Sequence, residues 1–496
     1  MKTRFAPSPT GYIHLGNVRT ALFNWLCAQS EQGSFLLRIE DTDEERSEAI
    51  YVDALKQDLL WLGLDWQEGP KFDRLIVEDV GSNPVPLVHD KGPYFQSQRN
   101  DIYDDYFTQL IKSDKAYPCF CSQEELAYSR KAQRTAGHAP RYAGTCAALS
   151  AEEVEQKCGQ GLNPSLRFRV PHSGRIGFED HVRGQQDFEC SDIGDFIIRR
   201  STGAPAFFFS NAVDDALMNV THVFRGEDHL TNTPRQKLIL EALALRIPEY
   251  AHISLIVGSD GTPLSKRHGS MSVAELRDKG YIPIGVLNYL ARLGHHYAND
   301  DFMDEATLAK EFDIKHLGKA PARFQTEQLM HWQKEAVMRL TDKQVWQWIS
   351  ISELEGISIN ALVADDARDI FIKTVRDNLV MPQDALSWAS SLFSNSGQFD
   401  SAAADVMTNS GADFFTQAVV CMSSEPANFK EFSKAVGTAT GCKGKHLFMP
   451  LRAALTGENG IHGWDNQWQR GPQMADVFAL LSKEVMQRRL ELASQL

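Results

Sequence analysis

The sequence has little cysteine and no long apolar run. Eight cysteines are spread over 496 residues, which is too sparse for a disulfide framework and indicates a reducing cytoplasm. Pro7 and Pro9 interrupt the start of the chain, so a secretory signal is not expected there. Because no stretch of about 18 apolar residues occurs, a membrane-spanning helix is not expected either.

An excess of basic charge is also lacking. Lys and Arg number 51 against 65 Asp and Glu, a net charge of −14. This balance excludes a small basic nucleic-acid module but not a large enzyme with a local basic face. The 43% of hydrophobic and 23% of charged residues exclude wholesale disorder. At about 150 residues per domain, the length predicts three or four domains.

The first part of the chain alternates between strand and helix patterns. Residues 3–6 and 35–39 are predicted strands, and residues 18–31 between them are predicted to be helical. This order is typical of a right-handed βαβ unit in a parallel sheet, whose ligands lie at the carboxyl ends of the strands. The acidic loop 40–43 is therefore expected at a ligand-binding edge.

Further along, the patterns predict an insertion and a helical tail. Residues 81–86 form a predicted exposed loop, and residues 101–202 have the mixed pattern of a domain inserted into the sheet. Strand-like patterns return at residues 207–211 and 220–224. After residue 282 strand-like patterns become weak, and apolar residues at 367–379 and 476–492 have helical spacing.

Two loops could bind phosphate. Residues 7–17 lead from a strand into a helix, where free N–H groups and the helix dipole favour an anion; Gly11 and Gly16 would allow close approach and His14 could donate a hydrogen bond. An ordinary strand-to-helix loop is the alternative. The second loop, residues 261–269, could place Lys266 on a polyphosphate, or it is a solvated basic turn.

Together the two loops resemble the ATP signatures of class I aminoacyl-tRNA synthetases, in the form carried by bacterial glutamyl-tRNA synthetases. The matching segments are His-Leu-Gly-Asn at 14–17 and Leu-Ser-Lys-Arg at 264–267. Residues 4–11, 37–43, 225–230 and 447–452 extend the resemblance along the chain.

The resemblance implies an α/β fold: a split Rossmann-like parallel-sheet catalytic domain with an inserted acceptor-binding domain, followed by all-α anticodon-binding domains. The expected boundaries are 1–100 and 206–250 for the two catalytic halves, 101–205 for the insertion, 251–335 for a stem-contact region and 336–496 for the anticodon-binding region. The implied reaction forms glutamyl-adenylate from L-glutamate and ATP with Mg²⁺, then transfers glutamate to the 3′ end of tRNA(Glu). We expect a cytoplasmic monomer.

The resemblance also implies the site residues. His14 and Lys266 are the expected catalytic residues. ATP would be bound by Thr10, Gly11, His14, Gly16, Asn17, Asp228, Leu264, Ser265, Lys266 and Arg267. Glutamate would be bound by Arg4, Ala6, Ser8, Glu40, Phe207, Asn211 and Arg225. Arginine suits this substrate because it forms bidentate, charge-assisted pairs with carboxylates.

Two features of the sequence bear on details of the site. Phe207 stands where the family usually has tyrosine, so one hydroxyl donor is missing from the glutamate pocket. Cys119, Cys121, Tyr142 and Cys146 have a spacing similar to the zinc knuckle of some family members, with His138 as an alternative fourth ligand. Reduced cysteines without metal are the other interpretation.

Two alternative functions remain open from the sequence. A non-discriminating enzyme would also, or mainly, charge tRNA(Gln), depending on anticodon contacts in the helical tail. A catalytically inert tRNA-binding paralogue would keep the shape without turnover, although Arg4, His14, Glu40, Arg225 and Lys266 are all intact.

Overall fold

The computed structural model describes residues 1–42, 48–71, 91–265, 269–354, 356–393, 399–457 and 471–496. The chain divides into two compact units, Met1–Glu275 with Leu287–Thr326, and Leu276–Val286 with Glu327–Leu496. The loop predicted at residues 81–86 lies outside the described residues. Among the described helices, no segment combines the length and apolar character needed to cross a membrane.

The first unit contains both strands and helices. Its strands are β1 (Lys2–Phe5), β2 (Ser34–Leu37), β3 (Ala116–Cys119), β4 (Ser165–Phe168), β5 (Arg175–Asp180), β6 (Gly184–Glu189), β7 (Phe196–Arg199), β8 (His222–Gly226), β9 (Glu249–Ile253), β10 (Ile256–Val257) and β11 (Ala322–Arg323). Its helices are α1 (Leu15–Ser30), α2 (Ala49–Trp61), α3 (Asn100–Lys112), α4 (Gln123–Thr135), α5 (Ala151–Gly159), α6 (Cys190–Ile193), α7 (Phe207–Leu217), α8 (Thr233–Ala242) and α11 (Glu305–Lys310), while α9 (Val273–Asp278) and α10 (Pro283–Arg292) each have residues in both units.

Parallel strand pairs form the centre of this unit, as predicted. β1 pairs with β2, β8 pairs with β9, and β9 also pairs with β5, all in parallel. The Thr221 backbone N–H donates to the Lys2 carbonyl at 2.9 Å, which places β1 beside the start of β8. Between β2 and β8 in the chain, β3, β4 and β7 form a separate antiparallel sheet. The parallel sheet is therefore interrupted in the chain by a separate sheet, as predicted. However, β5 and β6, which also lie within the predicted insertion, belong to the sheet that contains β8 and β9.

Helix α1 lies in the core behind β1 and the loop that follows it. Leu15, Val18, Leu22 and Leu26 are fully buried and recur at helical spacing. Asn24 is also buried, and its side-chain amide donates to the Phe224 carbonyl on β8 at 3.1 Å. Burial on most faces explains why this helix shows little amphipathic pattern, and it fixes the helix N-terminus at the carboxyl end of β1.

The strand predicted at residues 207–211 is wrong, because these residues begin helix α7. Three consecutive phenylalanines favour a strand by local propensity. However, Phe209, Val213 and Ala216 are buried at helical spacing, and the Phe209 ring stacks on Phe107 with 4.1 Å between centroids. Tertiary packing therefore overrides the local preference. The strand predicted at residues 220–224 is confirmed as β8.

In its described residues the second unit is helical, as predicted, apart from one short pair of antiparallel strands, β12 (Glu353–Leu354) and β13 (Ile357–Ser358). Its helices are α12 (Thr326–Val337), α13 (Asp342–Ile349), α14 (Ile359–Leu362), α15 (Arg368–Val375), α16 (Pro382–Phe393), α17 (Ser401–Ser410), α18 (Ala412–Ser423), α19 (Phe429–Thr440), α20 (Lys445–Thr456), α21 (Met474–Leu480) and α22 (Lys483–Ala493). The helical pattern at 476–492 is divided between α21 and α22, because Ser482 caps α22 by accepting from the Val485 N–H at 3.3 Å.

Candidate active site

A cavity of about 630 Å³ opens at the carboxyl ends of β1 and β8. The predicted site residues that line it are Arg4, Ala6, Ser8, Thr10, His14, Gly16, Asn17, Glu40, Phe207, Asn211, Arg225, Asp228, Leu264 and Ser265. Gly11 lies in the same loop but does not line the cavity. Lys266 and Arg267 lie outside the described residues. The two loops chosen from the sequence therefore border one space.

One end of the cavity is formed by the start of α1 and the second loop. His14 is the residue before α1, and its carbonyl accepts from the Val18 N–H at 3.0 Å. Apart from its chain neighbours and its own helix backbone, no described residue lies within 4 Å of a Cβ added at Gly16, so among the described residues nothing crowds the helix N-terminus. Across the cavity, Leu264 is held by donating its N–H to the Ile256 carbonyl at 3.0 Å. This end offers N–H groups and a positive helix dipole to an anion.

The other end contains a buried cation, Arg225 at the carboxyl end of β8. Its Nη2 donates to Thr233 Oγ1 at 2.7 Å and its Nε donates to His252 Nε2 at 3.1 Å. Its guanidinium lies over the Tyr250 ring at 5.3 Å. The remaining nitrogen, Nη1, is buried and has no hydrogen-bond partner among the described residues. Burial lowers the pKa of Arg225 to about 10, so the side chain is still charged at neutral pH and suits an anionic group.

Behind Arg225, a buried histidine and carboxylate set its orientation. His252 Nδ1 lies 2.6 Å from Asp180 Oδ2, and both side chains are fully buried. Because His252 Nε2 accepts from Arg225, the proton is on Nδ1 and is donated to Asp180. Burial raises the pKa of Asp180, but the hydrogen bonds from His252 and the Arg183 backbone outweigh burial and the pKa is lowered. A charged Asp180 thus selects the histidine tautomer that can hold Arg225.

A second buried charge network supports Arg4 and Glu40. Asp215 Oδ1 accepts from Arg4 Nε at 3.2 Å and from Arg38 Nη1 at 2.7 Å. Glu40 Oε1 accepts from Arg38 Nη2 at 3.3 Å and also from the side-chain amide of Asn211. Burial raises the pKa of Glu40 more than the neighbouring arginines lower it. A further cation bound beside Glu40 would therefore stabilise its charged form.

Sequence reasoning missed the residues that support the cavity. The side chains of Arg4 and Arg225 are held, directly or through one neighbour, by four buried residues: Asp180, Asp215, Thr233 and His252. None of these four belongs to a motif identified in the sequence. The adjacent Asp214 and Asp215, in a helix that begins with three phenylalanines, were a signal that could have been used, because buried carboxylates require partners.

Phe207 borders both this cavity and a second cavity of about 810 Å³. Its ring centroid lies 5.4 Å from that of His229, which also lines the first cavity. The second cavity is lined by five arginines, Arg130, Arg141, Arg167, Arg200 and Arg235, together with two acidic residues. A basic space therefore adjoins the candidate active site.

The cysteines predicted to bind zinc do come together. The sulfur atoms of Cys119, Cys121 and Cys146 all lie within 4.8 Å of one another, with 3.7 Å between those of Cys121 and Cys146. The Tyr142 hydroxyl lies 3.4 Å from the sulfurs of Cys119 and Cys121. Three thiols and a phenol facing one point fit a tetrahedral zinc site. The alternative ligand, His138, is not part of this group.

Comparisons with known proteins agree with this geometry. Residues 1–331 match the family described as tRNA synthetases class I (E and Q), catalytic domain, and residues 341–494 match an anticodon binding domain. The glutamate–tRNA ligase 2 of Nitrosococcus oceani is 52% identical over 491 residues, which cover 99% of this chain and 98% of that protein. The glutamate–tRNA ligase 1 of Coxiella burnetii is 48% identical, with full coverage of both chains.

A solved structure extends the comparison to the fold. The crystal structure of the glutamate-tRNA synthetase from Elizabethkingia anophelis matches with a TM-score of 0.84 and 27% identity, and the match covers 100% of both chains. Two family matches together span most of the chain, and close relatives align over nearly their whole length. The chain therefore belongs to the glutamate–tRNA ligases, within the class I tRNA synthetases for glutamate and glutamine.

Proposed function

We propose that this glutamate–tRNA ligase activates L-glutamate with ATP in the 630 Å³ cavity and transfers it to the 3′ end of tRNA(Glu). The observation that carries the proposal is that Nη1 of buried Arg225 has no hydrogen-bond partner within the described part of the chain, while Arg225 lines the same cavity as the N-terminus of α1. One end suits a carboxylate and the other suits a polyphosphate. We further propose that the enzyme acts in the cytoplasm as a monomer.

Glutamate would be bound through its side-chain carboxylate and its α-ammonium, which leaves the α-carboxylate to react. Arg225 Nη1 would donate to the side-chain carboxylate, because a buried guanidinium forms its strongest hydrogen bonds with an anion. Glu40 would accept from the α-ammonium, while Arg4, Ser8, Asn211, Ala6 and Phe207 complete the pocket. Neutral glutamine would leave the Arg225 charge uncompensated, and rejection of a near-isostere on such grounds can reach about 10⁴ to 10⁵.

ATP would bind with Mg²⁺ on its phosphates, and its contacts are those implied by the two loops. Thr10, Gly11, Gly16, Asn17, Asp228, Leu264, Ser265 and Arg267 would position the nucleotide. The α-carboxylate of glutamate attacks the α-phosphate, and the bond to the pyrophosphate oxygen breaks. His14 and Lys266 would stabilise the charge that accumulates on the departing pyrophosphate. A ribose hydroxyl of the tRNA then displaces AMP from the adenylate, so no protein nucleophile is required.

The tRNA would reach this cavity through the basic space beside Phe207. Five arginines there favour a phosphate backbone even though the whole chain is acidic. We propose the domain roles stated from the sequence: catalytic halves at 1–100 and 206–250, acceptor binding at 101–205, stem contact at 251–335 and anticodon binding at 336–496. Because phosphate contacts release counterions, tRNA affinity should fall as salt rises.

A structural zinc is proposed at the cysteine group. Cys119, Cys121 and Cys146 would supply three ligands and Tyr142 the fourth. The ion would join segments whose local apolar cluster has only Tyr117, Cys119 and Cys146 buried, and it would take no part in the reaction.

The deciding experiment is aminoacylation of two purified tRNAs, tRNA(Glu) and tRNA(Gln), with labelled glutamate. Lys266→Ala serves as the inactive control. Charging of tRNA(Glu) alone supports the proposal. Charging of tRNA(Gln) as well, or instead, would establish the non-discriminating enzyme, and charging of neither would establish an inert tRNA-binding paralogue.

A further inference from the structure

A second group of metal-binding side chains lies away from the cavity, at the edge of the sheet where β8 and β9 begin. His181 Nε2 lies 2.7 Å from Glu249 Oε2, and His222 Nε2 lies 3.4 Å from the same oxygen. The three ligand atoms all lie within 4.8 Å of one another. Two imidazole nitrogens and one carboxylate oxygen thus lie close together.

The backbone holds these three residues in place. His222 and Glu249 are opposite each other in the parallel register of β8 and β9. His181 directly follows β5, and its N–H donates to the Tyr250 carbonyl at 2.9 Å. The rings of His181 and His222 stack with 5.7 Å between centroids. The arrangement therefore depends on strand pairing, not on three independent surface side chains.

A further hydrogen bond orients one of the imidazoles. Thr221 Oγ1 lies 2.8 Å from His222 Nδ1, and the Lys2 backbone N–H donates to the same hydroxyl at 2.8 Å. With Nδ1 occupied in this way, His222 presents Nε2 towards Glu249. A polar partner on the non-ligating nitrogen is the usual support of a metal-binding histidine.

We propose that His181, His222 and Glu249 form a binding site for a transition-metal dication such as Zn²⁺, with water completing the coordination. Ligands placed 2.0 to 2.2 Å from one ion lie about 3 to 3.5 Å apart. The 3.4 Å between His222 and Glu249 already fits this range, the 2.7 Å between His181 and Glu249 must widen, and the two imidazole nitrogens start no more than 4.8 Å apart. Imidazole ligands favour late first-row metals, whereas Mg²⁺ and Ca²⁺ require mostly oxygen.

The position of the site indicates a structural role. His222 begins β8 and Gly226, which lines the cavity, ends it, so about 13 Å of strand separates them. The ion would connect the starts of β8 and β9 to the segment after β5. Asp180 and Tyr250 are the sequence neighbours of His181 and Glu249. Asp180 bonds to His252, which orients Arg225, and the Tyr250 ring lies against the Arg225 guanidinium. The ion would therefore stabilise the strands that hold Arg225 in place.

The test is zinc binding by the full-length protein, purified with zinc and kept in excess Mg²⁺ so that weak carboxylate sites are occupied. Native mass spectrometry gives the number of ions per chain, and isothermal titration with Zn²⁺ gives the affinity. His181→Ala and His222→Ala are compared with His172→Ala, which removes another exposed histidine. Thermal melting without added zinc checks that each variant is folded.

The parent and His172→Ala should bind one Zn²⁺ more than either cluster variant, since the cysteine group is intact in all four. Thr221→Val should weaken the additional site by about 10-fold or more, because it removes the hydroxyl that orients His222. Thr221→Ser should keep the affinity. Equal numbers of ions with equal affinity in the parent and in His222→Ala would overturn the proposal.

Discussion

Replacing Asp180 by Asn should impair glutamate recognition although Asp180 does not line the cavity. Asp180 Oδ1 accepts from the backbone N–H groups of Val182 and Arg183, at 3.0 and 2.7 Å. In the Asn variant, the same two N–H groups require an acceptor, so the side-chain oxygen takes the place of Asp180 Oδ1. The side-chain NH₂ group then takes the place of Oδ2 and faces His252 Nδ1. His252 must then carry its proton on Nε2, where Thr233 Oγ1 at 3.0 Å can accept it but where it opposes the Nε–H of Arg225.

The expected loss follows from that mismatch. A hydrogen bond to a charged group is replaced by two facing donors, which costs about 1.5 to 3 kcal/mol, or roughly 10- to 150-fold in kcat/KM for glutamate. The assay is tRNA(Glu) charging with glutamate varied at saturating ATP, then with ATP varied. Glu179→Gln is the matched control, since this neighbouring carboxylate is exposed. An unchanged KM for glutamate, or an equal rise in the KM for ATP, would refute the reasoning.

Three further predictions concern other parts of the first unit. Burial lowers the pKa of His295 to about 4, and Nδ1 has no partner among the described residues. In the unfolded chain the same histidine takes up a proton near pH 6.5. The free energy of unfolding therefore falls by up to about 3 kcal/mol as the pH drops from about 7.5 to 4. His295→Gln should make Tm less dependent on pH over this range, whereas His296→Gln, at an exposed residue, should leave the pH dependence of Tm unchanged. Phe207→Tyr adds a donor and should lower the KM for glutamate by up to about 10-fold in the charging assay, whereas a raised KM would contradict its place in the pocket. Cys146→Ser should release bound zinc and lower Tm, while exposed Cys158→Ser should change neither.

Much of the fold was predictable because its signals are local. The strand, helix and strand at the start of the chain are each indicated by residues that are close together in the sequence, and the structure has β1, α1 and β2 at those places. The helical tail was predicted for the same reason. The strand prediction for residues 207–211 was wrong because three consecutive phenylalanines have strand propensity. The helix is instead favoured by the stacking of Phe209 on Phe107, a contact with a distant part of the chain.

For the candidate site, too, the residue types were predictable from the sequence, whereas their arrangement in space was not. Motifs at residues 4–17, 40, 225–228 and 264–267 carry the cavity-lining residues, because a ligand must be contacted by particular side chains at short spacing along a loop. Arg225 and the start of α1, at opposite ends of the cavity, are about 200 residues apart in the sequence. The parallel pairing of β8 with β9, together with the contact of β1 with Thr221, brings them together.

By itself, the sequence determined the α/β class, the helical tail, the family resemblance and most residues that line the cavity, since each depends on residue type and spacing within a segment. Only the tertiary structure decided which groups are buried without a partner and which are held by one. Three features depend on strand pairing between distant segments: Nη1 of Arg225, which has no partner among the residues that the structure describes, the support of Arg225 by His252 and Asp180, and the proximity of His181, His222 and Glu249. Local spacing carries no information about which strands pair, so these features appear only in the folded chain.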